Sequence, residues 1–295
     1  VCSKNDEENA LLGLNHTSSV LHPDDFASIK ANWDPKDINI SNSAEELNLL
    51  PESFVFIDDN PAECAIVEGQ LPEVKTINLE TVDDAMYKLS RGGYFETLSI
   101  SEDDVKRSEM YAANAKRAAQ QKSFGNYTEY LLSLGMKAEI GGFKPVYIQR
   151  ITQLTNKSNQ FNLTTRRYTE PEIREATESS DHICLCGRLA DKFGDNGIVS
   201  VVIGRCEGDT LHVELWLMSC RVLKRDMELA MLDELAKKCC ERGICRITGY
   251  YYKTAKNSMV SKLYETFGFD LVEKKENGDS VWSLDLDSYE NKNKV

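Results

Sequence analysis

The stretch Phe54-Val55-Phe56-Ile57-Asp58-Asp59-Asn60-Pro61 decides how the first part of this chain is expected to fold. Four apolar residues run directly into two carboxylates and a turn, which is typical of a strand buried in a parallel sheet. Ligands of open α/β sheets bind beyond the carboxyl ends of such strands. Asp58 and Asp59 therefore predict a Mg²⁺ site that carries a phosphate, with Asn60 as a substrate contact. An Asx-turn or a helix cap explains the same residues without any metal.

Two more candidate residues precede this strand. The sequence predicts that Ser3 lies at the end of a strand. Lys36 follows a predicted loop and comes shortly before a predicted helix. A hydroxyl and an ammonium hold phosphate oxygens while carboxylates hold a cation, so Ser3, Lys36 and the Asp pair together suit phosphoryl chemistry. Taken singly, a serine at a strand end is usually a cap, and a lysine usually lies on a solvated face.

In combination these motifs resemble the haloacid-dehalogenase (HAD) phosphatase superfamily, and within it the FkbH-like branch. The resemblance implies that Ser3 binds the transferring phosphoryl group and that Lys36 stabilises its charge. It also implies that Asp58 and Asp59 complete a Mg²⁺ site. The matching stretches are Cys2-Ser3-Lys4-Asn5-Asp6, Asn32-Trp33-Asp34-Pro35-Lys36 and Phe56-Ile57-Asp58-Asp59-Asn60-Pro61.

One element of that superfamily is absent from the sequence. Its nucleophile lies in an Asp-x-Asp motif on an earlier strand, and only two residues precede Ser3. We therefore expect a fragment with an incomplete HAD-type, Rossmann-like parallel sheet and no phosphatase activity of its own. Cys2 is a candidate to carry a glyceryl group as a thioester, although a buried strand cysteine is the simpler interpretation.

Composition and charge narrow the class of protein. The chain has 295 residues, which predicts two domains. Hydrophobic residues make up 41% of it, and no apolar run is long enough to span a membrane. We therefore expect a cytoplasmic protein that does not bind a membrane. Nine cysteines, an odd number, favour reduced thiols, and the histidines show no zinc-ligand spacing with them. The first hundred residues carry the whole formal charge of -13, which argues against nucleic-acid binding.

The second part of the chain predicts an α+β domain. We place the HAD part at 1–100, a helical linker at 101–144 and the second domain at 145–290. Within 101–144, a capping-box pattern starts a helix at 101–104, and 105–122 favours helix. Later we predict helices over 145–155, 170–178, 225–242 and 256–267, and strands over 182–188, 197–205, 210–217, 244–250 and a final pair around 270–286.

This order resembles the GNAT acyltransferase fold. In GNAT enzymes a strand leads into an Arg/Gln-x-x-Gly-x-Gly/Ala loop, and the helix that follows cradles the pyrophosphate of CoA. Arg221 matches the first position, but Lys224 and Asp226 replace both glycines and would crowd that approach. Lys224 and Arg225 add compensating positive charge. We therefore expect acetyl-CoA to bind weakly or not at all, and a phosphopantetheine arm on a carrier protein to bind instead.

A second GNAT motif and a polar stretch add further candidates. Asn257 and Tyr264 match the second motif, in which such a tyrosine often protonates the CoA thiolate; a core aromatic is the alternative. The stretch 154–167 is rich in amide and guanidinium side chains, which suit either a pocket for a phosphorylated group or loop hydrogen bonding. The residues of this stretch that we assign to substrate or carrier binding are Asn156, Asn159, Gln160, Arg166 and Arg167.

Three functions follow from these resemblances. The leading hypothesis is a Mg²⁺-dependent phosphatase and glyceryl transferase, which loads a phosphorylated three-carbon unit onto an acyl carrier protein with loss of phosphate. The alternative is an acyl-CoA-dependent N-acyltransferase of the GNAT type. A non-catalytic module that docks a carrier protein is the third. The glycine-less loop argues against the second function, and the acidic first hundred residues are awkward for the third, because carrier proteins are usually acidic.

Overall fold

The computed structural model describes residues 1–96, 100 and 105–294, apart from the side chains of residues 82 and 108. The contacts divide the chain into two units, unit 1 from Val1 to Ala115 and unit 2 from Lys116 to Val295. Each unit has its own apolar clusters of buried side chains. The helix start predicted at 101–104 lies outside the described residues.

Unit 1 contains two short pairs of parallel strands. Strand β1 (Cys2–Ser3) pairs with β2 (Lys30–Ala31), and β3 (Val55–Asp58) pairs with β4 (Lys75–Asn78). The parallel strand predicted from 54–57 is therefore confirmed. Among the described residues the two pairs form separate sheets, and a cavity of about 410 Å³ is lined by residues of both β1 and β3. A HAD-type sheet is not shown and stays a prediction.

Helices flank these strands and supply the core of unit 1. The first turn of α3 follows directly from β3, because Asn60 caps it and Pro61 fits the first helical position. The core cluster joins Ile40 of α2 with Phe56 of β3 and with Cys64 and Val67 of α3. Among the described residues, the helices of unit 1 are α1 (Glu7–Leu14), α2 (Lys36–Leu47), α3 (Pro61–Gln70) and α4 (Val82–Gly92), and α5 (Arg107–Gln121) continues into unit 2.

Unit 2 is built around a mixed sheet of seven strands. Their order across the sheet is β10-β11-β9-β8-β7-β6-β5, and every neighbouring pair is antiparallel except β8 and β9. The strands are β5 (Lys137–Gly141), β6 (His182–Asp191), β7 (Gly194–Glu207), β8 (Thr210–Met218), β9 (Arg246–Tyr251), β10 (Asp270–Lys274) and β11 (Ser280–Asp285).

Helices cover both faces of this sheet. One cluster of buried side chains joins α9 to Trp216 and Tyr264, and a second joins α7 and α8 to Leu215 and Leu217. The helices are α6 (Tyr127–Ser133), α7 (Ile148–Lys157), α8 (Glu170–Glu178), α9 (Met227–Glu241) and α10 (Leu263–Thr266). Within the described part of the chain, every helix is too short or too polar to cross a lipid bilayer.

Most elements predicted for the second part are confirmed, with two differences. Strand β5 lies inside the stretch 101–144, which we expected to be a helical linker, and it pairs with β6 as an edge of the sheet. The helix predicted over 256–267 is reduced to α10 and a short 3₁₀ turn at Ser258–Val260. The stretch 137–141 carries two charged residues and no strong strand pattern, so its pairing with β6 decides its conformation.

Candidate functional sites

Lys36 and Asp58, both predicted to act on a phosphate, form an ion pair inside unit 1. The Lys36 ammonium contacts Asp58 Oδ2, and only 11% and 6% of the two side chains are exposed. Lys36 is the first residue of α2 and Asp58 the last of β3, so the start of a helix meets the carboxyl end of a parallel strand. A charge pair so removed from water is costly to break, because the remaining charge is left buried and unpaired.

Cys2 and Ser3 lie on β1 in the same unit. The Cys2 sulfur lies 3.8 Å from the carbonyl oxygen of Lys36, so β1 runs past the start of α2. Burial raises the pKa of the Cys2 thiol, although the Lys36 ammonium partly opposes this shift. A raised thiol pKa lowers the thiolate fraction at neutral pH, which is unfavourable for a nucleophile. The roles predicted for Cys2 and for the half-buried Ser3 stay predictions.

The residues that were expected to hold Mg²⁺ do not form a metal site by themselves. Asp58 uses one oxygen for Lys36, and its Oδ1 accepts a hydrogen bond from the Asn60 amide at 2.9 Å. Asp59 is exposed, and Asn60 caps α3 by accepting from the Ala62 amide at 2.9 Å. Nowhere in the described ranges do three Asp, Glu, His or Cys side chains gather as metal ligands. The helix cap that explained this motif without a metal is therefore present.

The central feature of unit 2 is a gap between β8 and β9. The two strands pair only from Thr210 to His212 and then diverge. Residues 161–163, which belong to the polar stretch noted in the sequence, lie in the gap. Leu163 donates its amide to the Trp216 carbonyl at 3.1 Å, the Met218 amide donates to Phe161 at 3.0 Å, and the Tyr252 amide donates to Leu163 at 2.9 Å. This inserted segment therefore occupies backbone groups that β8 would otherwise offer to a ligand.

Asn257 holds the inserted segment in place. Its amide donates to the carbonyls of Asn162 at 3.0 Å and Tyr252 at 2.9 Å, and its Oδ1 accepts from the Thr254 amide at 2.8 Å. The Asn257 side chain is fully buried. The resemblance to the second GNAT motif predicted that Asn257 contacts a substrate or carrier, whereas its hydrogen bonds are directed at the protein itself. A direct ligand contact by Asn257 stays a prediction.

Tyr264 lies in the core beside the same strands. Its side chain is fully buried, and its ring packs so closely on Gly249 that a β-carbon there would lie 2.4 Å from it. The ring also contacts Phe269, with centroids 4.9 Å apart. Its hydroxyl lies near the backbone of Tyr250 without a hydrogen bond of normal geometry, and burial raises its pKa. These surroundings are those of a core aromatic, and a role as proton donor stays a prediction.

The loop between β8 and α9 has a left-handed backbone at both positions where the GNAT motif predicted glycine. Lys224 and Asp226 have φ values of 62° and 56°, in the left-handed region that glycine adopts most easily. Asp226 is the N-cap of α9, yet its side chain makes no capping hydrogen bond. Burial also raises the pKa of the Asp226 carboxyl. Lys224 is exposed, so its ammonium is accessible at the start of α9.

Arg225, another cation of this loop, is directed inward, whereas Arg221 donates to the Ser219 hydroxyl at 3.2 Å. Arg225 donates to the Arg221 carbonyl at 3.0 Å and contacts Asp191 at 3.3 Å. Arg117 pairs with the same Asp191 at 2.7 Å, and the Asp191 side chain is fully buried. Burial, reinforced by the nearby Arg117, lowers the pKa of Arg225 to about 10. Asp191 on β6 therefore forms ion pairs with α5 and with the loop before α9. Nothing in the sequence indicated these contacts.

The polar stretch 154–167 does not form one pocket. Arg167 donates to the carbonyl of Ser158 at 2.9 Å and also contacts Thr155 and Asn159, so it caps the end of α7. Asn156 donates to the Tyr168 carbonyl at 3.0 Å. Gln160 is half-buried. Arg166 lines a cavity together with Thr164 of the same stretch, and it pairs there with Glu214 at 2.8 Å. Loop hydrogen bonding, the alternative in the sequence analysis, accounts for Arg167 and Asn156.

The sequence analysis missed the residues across that cavity. His212 and Tyr250 lie on β8 and β9 where the strands diverge, with His212 Nδ1 2.8 Å from the Tyr250 hydroxyl. The alternation His212-Val213-Glu214 was visible in the sequence and placed polar side chains two residues apart. A bulge in β8, between the pairs Gly204–Val213 and Ile203–Leu215, leaves Glu214 without a partner residue on β7. Bulges of this kind redirect side chains at functional sites.

Comparisons with known proteins find similarity to solved structures over about half of the chain. No protein-family model matches the chain, and no curated protein matches it. The ribosomal-protein-S18-alanine N-acetyltransferase of Escherichia coli is similar over 51% of this chain and 94% of its own, at 12% identity and a TM-score of 0.39. The GNAT domain of S. lividans PAT is similar over 50% of this chain and 90% of its own, at 14% identity and a TM-score of 0.41.

A third similar structure was solved with a ligand. The PaiA N-acetyltransferase of Thermoplasma acidophilum, in complex with coenzyme A, is similar over 50% of this chain and 99% of its own, at 15% identity and a TM-score of 0.36. Such likeness concerns the fold of about half the chain and carries no activity to it. These comparisons give the FkbH-like and HAD expectations no support.

Proposed function

We propose that this protein takes part in acyl-group transfer and that unit 2 receives the phosphopantetheine arm of a carrier-bound thioester. The observation that supports the proposal is the loop between β8 and α9. Its left-handed residues Lys224 and Asp226 turn the chain into the start of a helix, where backbone N–H groups favour a phosphate. The exposed Lys224 ammonium adds a positive charge at the same place.

Two features favour a carrier protein over free acyl-CoA. The side chains of Lys224 and Asp226 crowd the approach of a pyrophosphate, which is larger than the single phosphate of a phosphopantetheine arm. The inserted segment 161–163 fills the gap between β8 and β9, so an arm could pair with β8 only after that segment leaves. A carrier protein adds contacts of its own surface, and these can offset the free energy of such a rearrangement.

Binding of a carrier protein to the full chain tests the proposal. The probes are the holo and apo forms of a bacterial acyl carrier protein, which differ only in the phosphopantetheine arm. We expect the holo form to bind about tenfold more tightly, equal to about 1.4 kcal/mol. Lys224→Glu should abolish this preference, whereas Lys237→Glu, a matched reversal at an exposed site on α9, should retain it. Equal binding of both forms, or binding of neither, would overturn the proposal.

Calorimetry with acetyl-CoA separates the carrier from the acyl-CoA alternative. We expect weak binding or none, because of the glycine-less loop and the inserted segment. A micromolar dissociation constant, about −8 kcal/mol, would replace the carrier protein by free acyl-CoA as the donor.

A second candidate function rests on the buried pair of Lys36 and Asp58 in unit 1. With Ser3 on the neighbouring strand β1, this pair is what the leading hypothesis needs for phosphate chemistry during loading of a three-carbon acyl unit. We expect no phosphate release by the 295 residues themselves, because none of the residues assigned here is the carboxylate nucleophile that this chemistry needs. A phosphate-release assay with a phosphorylated three-carbon acid and Mg²⁺ tests this. Release that is lost in Lys36→Met would show that the nucleophile lies elsewhere in the chain.

A further inference from the structure

A polar pocket lies where β8 and β9 begin to diverge, and, apart from Arg166, its lining residues have no role in the functions proposed above. Its volume is about 280 Å³, and its lining includes Arg166, Arg205, Glu207, His212, Tyr250 and Tyr252. This volume lies just below the range of pockets that bind drug-sized molecules, so a small metabolite fits it better than a nucleotide. We refer to these six residues and Glu214 as the His212 pocket.

Glu214 holds the two arginines of the His212 pocket, Arg166 and Arg205, in place. It lies 2.8 Å from Arg166 and 3.4 Å from Arg205, and it accepts a hydrogen bond from the Tyr168 hydroxyl at 3.2 Å. The Arg166 guanidinium also lies over the Tyr168 ring, 4.6 Å from its centre. About half of each arginine side chain is exposed, at 49% and 48%. Because guanidinium groups carry five donors, both arginines keep donors directed away from Glu214 and suited to a carboxylate.

Glu207 supplies the negative charge on the other side of the His212 pocket. Its Oε1 pairs with Arg205 at 2.6 Å, whereas its Oε2 lies 3.6 Å from His212 Nε2, beyond normal hydrogen-bond distance. His212 instead makes its short contact with the Tyr250 hydroxyl. The rings of His212, Tyr250 and Tyr252 follow one another at centroid distances of 6.1 and 6.2 Å and form one wall. An ammonium group beside this wall can reach Glu207 Oε2 and an aromatic face.

From this arrangement we propose that the His212 pocket binds a small zwitterion of the amino-acid class. Its carboxylate contacts Arg166 and Arg205, and its ammonium contacts Glu207 beside Tyr250 and Tyr252. Two cations and two anions of the protein are held in place by their own ion pairs, so the ligand meets preorganised charges of both signs. The inference goes beyond acyl transfer and does not depend on it.

Binding of free amino acids to the full chain tests the inference. Each common amino acid is screened at millimolar concentration by thermal shift, and any that raises the melting temperature is measured by calorimetry. The matched probes are the N-acetyl derivative and the carboxamide of the same amino acid, each of which lacks one of the two charges. We expect both derivatives to bind at least about tenfold more weakly, a loss of about 1.4 kcal/mol.

Variants separate the His212 pocket from other surface ion pairs. Arg166→Met and Glu207→Gln should each weaken binding about tenfold. Arg174→Met and Glu170→Gln, which alter an exposed ion pair of α8 with a similarly exposed arginine, should leave it unchanged. Melting temperatures of the free variants show that they are folded. The inference is overturned if no amino acid binds, if either derivative binds as well as its parent, or if the pocket and control variants behave alike.

Discussion

The Asn257 side-chain amide donates a hydrogen bond to the carbonyl oxygen of Asn162 at 3.0 Å, across 95 residues of sequence. This bond joins the segment that follows β9 to the segment inserted between β8 and β9. The same amide reaches the Tyr252 carbonyl, so one side chain satisfies two buried acceptors where the two strands diverge. Buried carbonyls without a partner are costly, so Asn257 stabilises the closed form of the gap.

Asn257→Ala should therefore destabilise unit 2 substantially. The substitution leaves the carbonyls of Asn162 and Tyr252 and the amide of Thr254 without their partner. At about 1–3 kcal/mol for each buried group, partly relieved by water, we expect a loss of about 3 kcal/mol in the free energy of unfolding. Urea titration measures it. Asn277→Ala, at an exposed turn, is the control, and an equal effect of both substitutions would contradict the assigned role.

The ion pair of Lys36 and Asp58 gives a second prediction. Asp58→Asn keeps the shape of the side chain and an acceptor for the Asn60 amide, but it leaves the Lys36 ammonium buried without a counter-charge. We expect a loss of about 3 kcal/mol in the stability of unit 1. Asp59→Asn, one residue away and exposed, should change stability by less than about 0.5 kcal/mol. Circular dichroism during urea unfolding distinguishes them, and matching losses would show that the burial of Asp58 is unimportant.

How much of this site the sequence could predict depends on the range of the interaction. The apolar run before Asp58 and the turn after it are local signals, and they predicted the strand that ends at Asp58. The metal was predicted from the carboxylates at the strand end together with Ser3 and Lys36, but Lys36 and the Asn60 amide already engage Asp58. Lys36 lies 22 residues from Asp58 along the chain. The motif around Asp58 therefore does not show that its carboxylate already has a partner.

The gap in unit 2 shows the same limit more clearly. The alternation over 210–217 predicted β8, but periodicity does not tell which strands diverge or what enters between them. The inserted segment 161–163 meets β8 about 50 residues later in the chain, through backbone groups that every residue possesses. The side chains of the polar stretch indicated a loop. The position of the segment is decided by its backbone hydrogen bonds, which the side chains do not reveal.

The left-handed residues of the loop before α9 give a third prediction. Lys224→Gly and Asp226→Gly should each stabilise unit 2 by about 0.5–1 kcal/mol, because glycine removes the strain of a positive φ. The bond from the Tyr127 hydroxyl to residue 224 uses the backbone carbonyl and is retained. Lys237→Gly, in the body of α9, should instead cost about 1 kcal/mol. Thermal unfolding measures all three, and a loss of stability in both loop variants would show that their side chains matter more than their backbone.

Removing both loop side chains should also change ligand binding. The double variant Lys224→Gly/Asp226→Gly clears two β-carbons from the start of α9, so we expect it to bind acetyl-CoA more tightly than the natural chain does. Calorimetry compares the two proteins at equal salt, because removal of Lys224 also removes a cation. An unchanged affinity would indicate that the inserted segment 161–163, rather than the loop, limits entry.

Two buried thiols and one partly buried thiol make the free energy of unfolding of unit 2 depend on pH in the alkaline range. Burial raises the pKa of Cys184 to about 12, of Cys186 to about 11 and of Cys239 to about 12, from an ordinary value of 9.0. In the unfolded chain these thiols ionise above about pH 9, while in the folded chain they stay protonated. The unfolded state therefore binds fewer protons, and stability falls as pH rises from about 9 towards 11.

Between about pH 9 and 11, each of these thiols should lower the free energy of unfolding by about 1.4 kcal/mol per pH unit. Urea unfolding under reducing conditions at a series of alkaline pH values gives the slope for the natural chain. Cys239→Ser lacks the titrating group, so its slope should be shallower by about that amount, whatever its stability at neutral pH. Cys245→Ser removes an exposed thiol and should leave the slope unchanged. If both serine variants keep the natural slope, the buried thiols do not cause the loss, and surface lysines and tyrosines become the explanation.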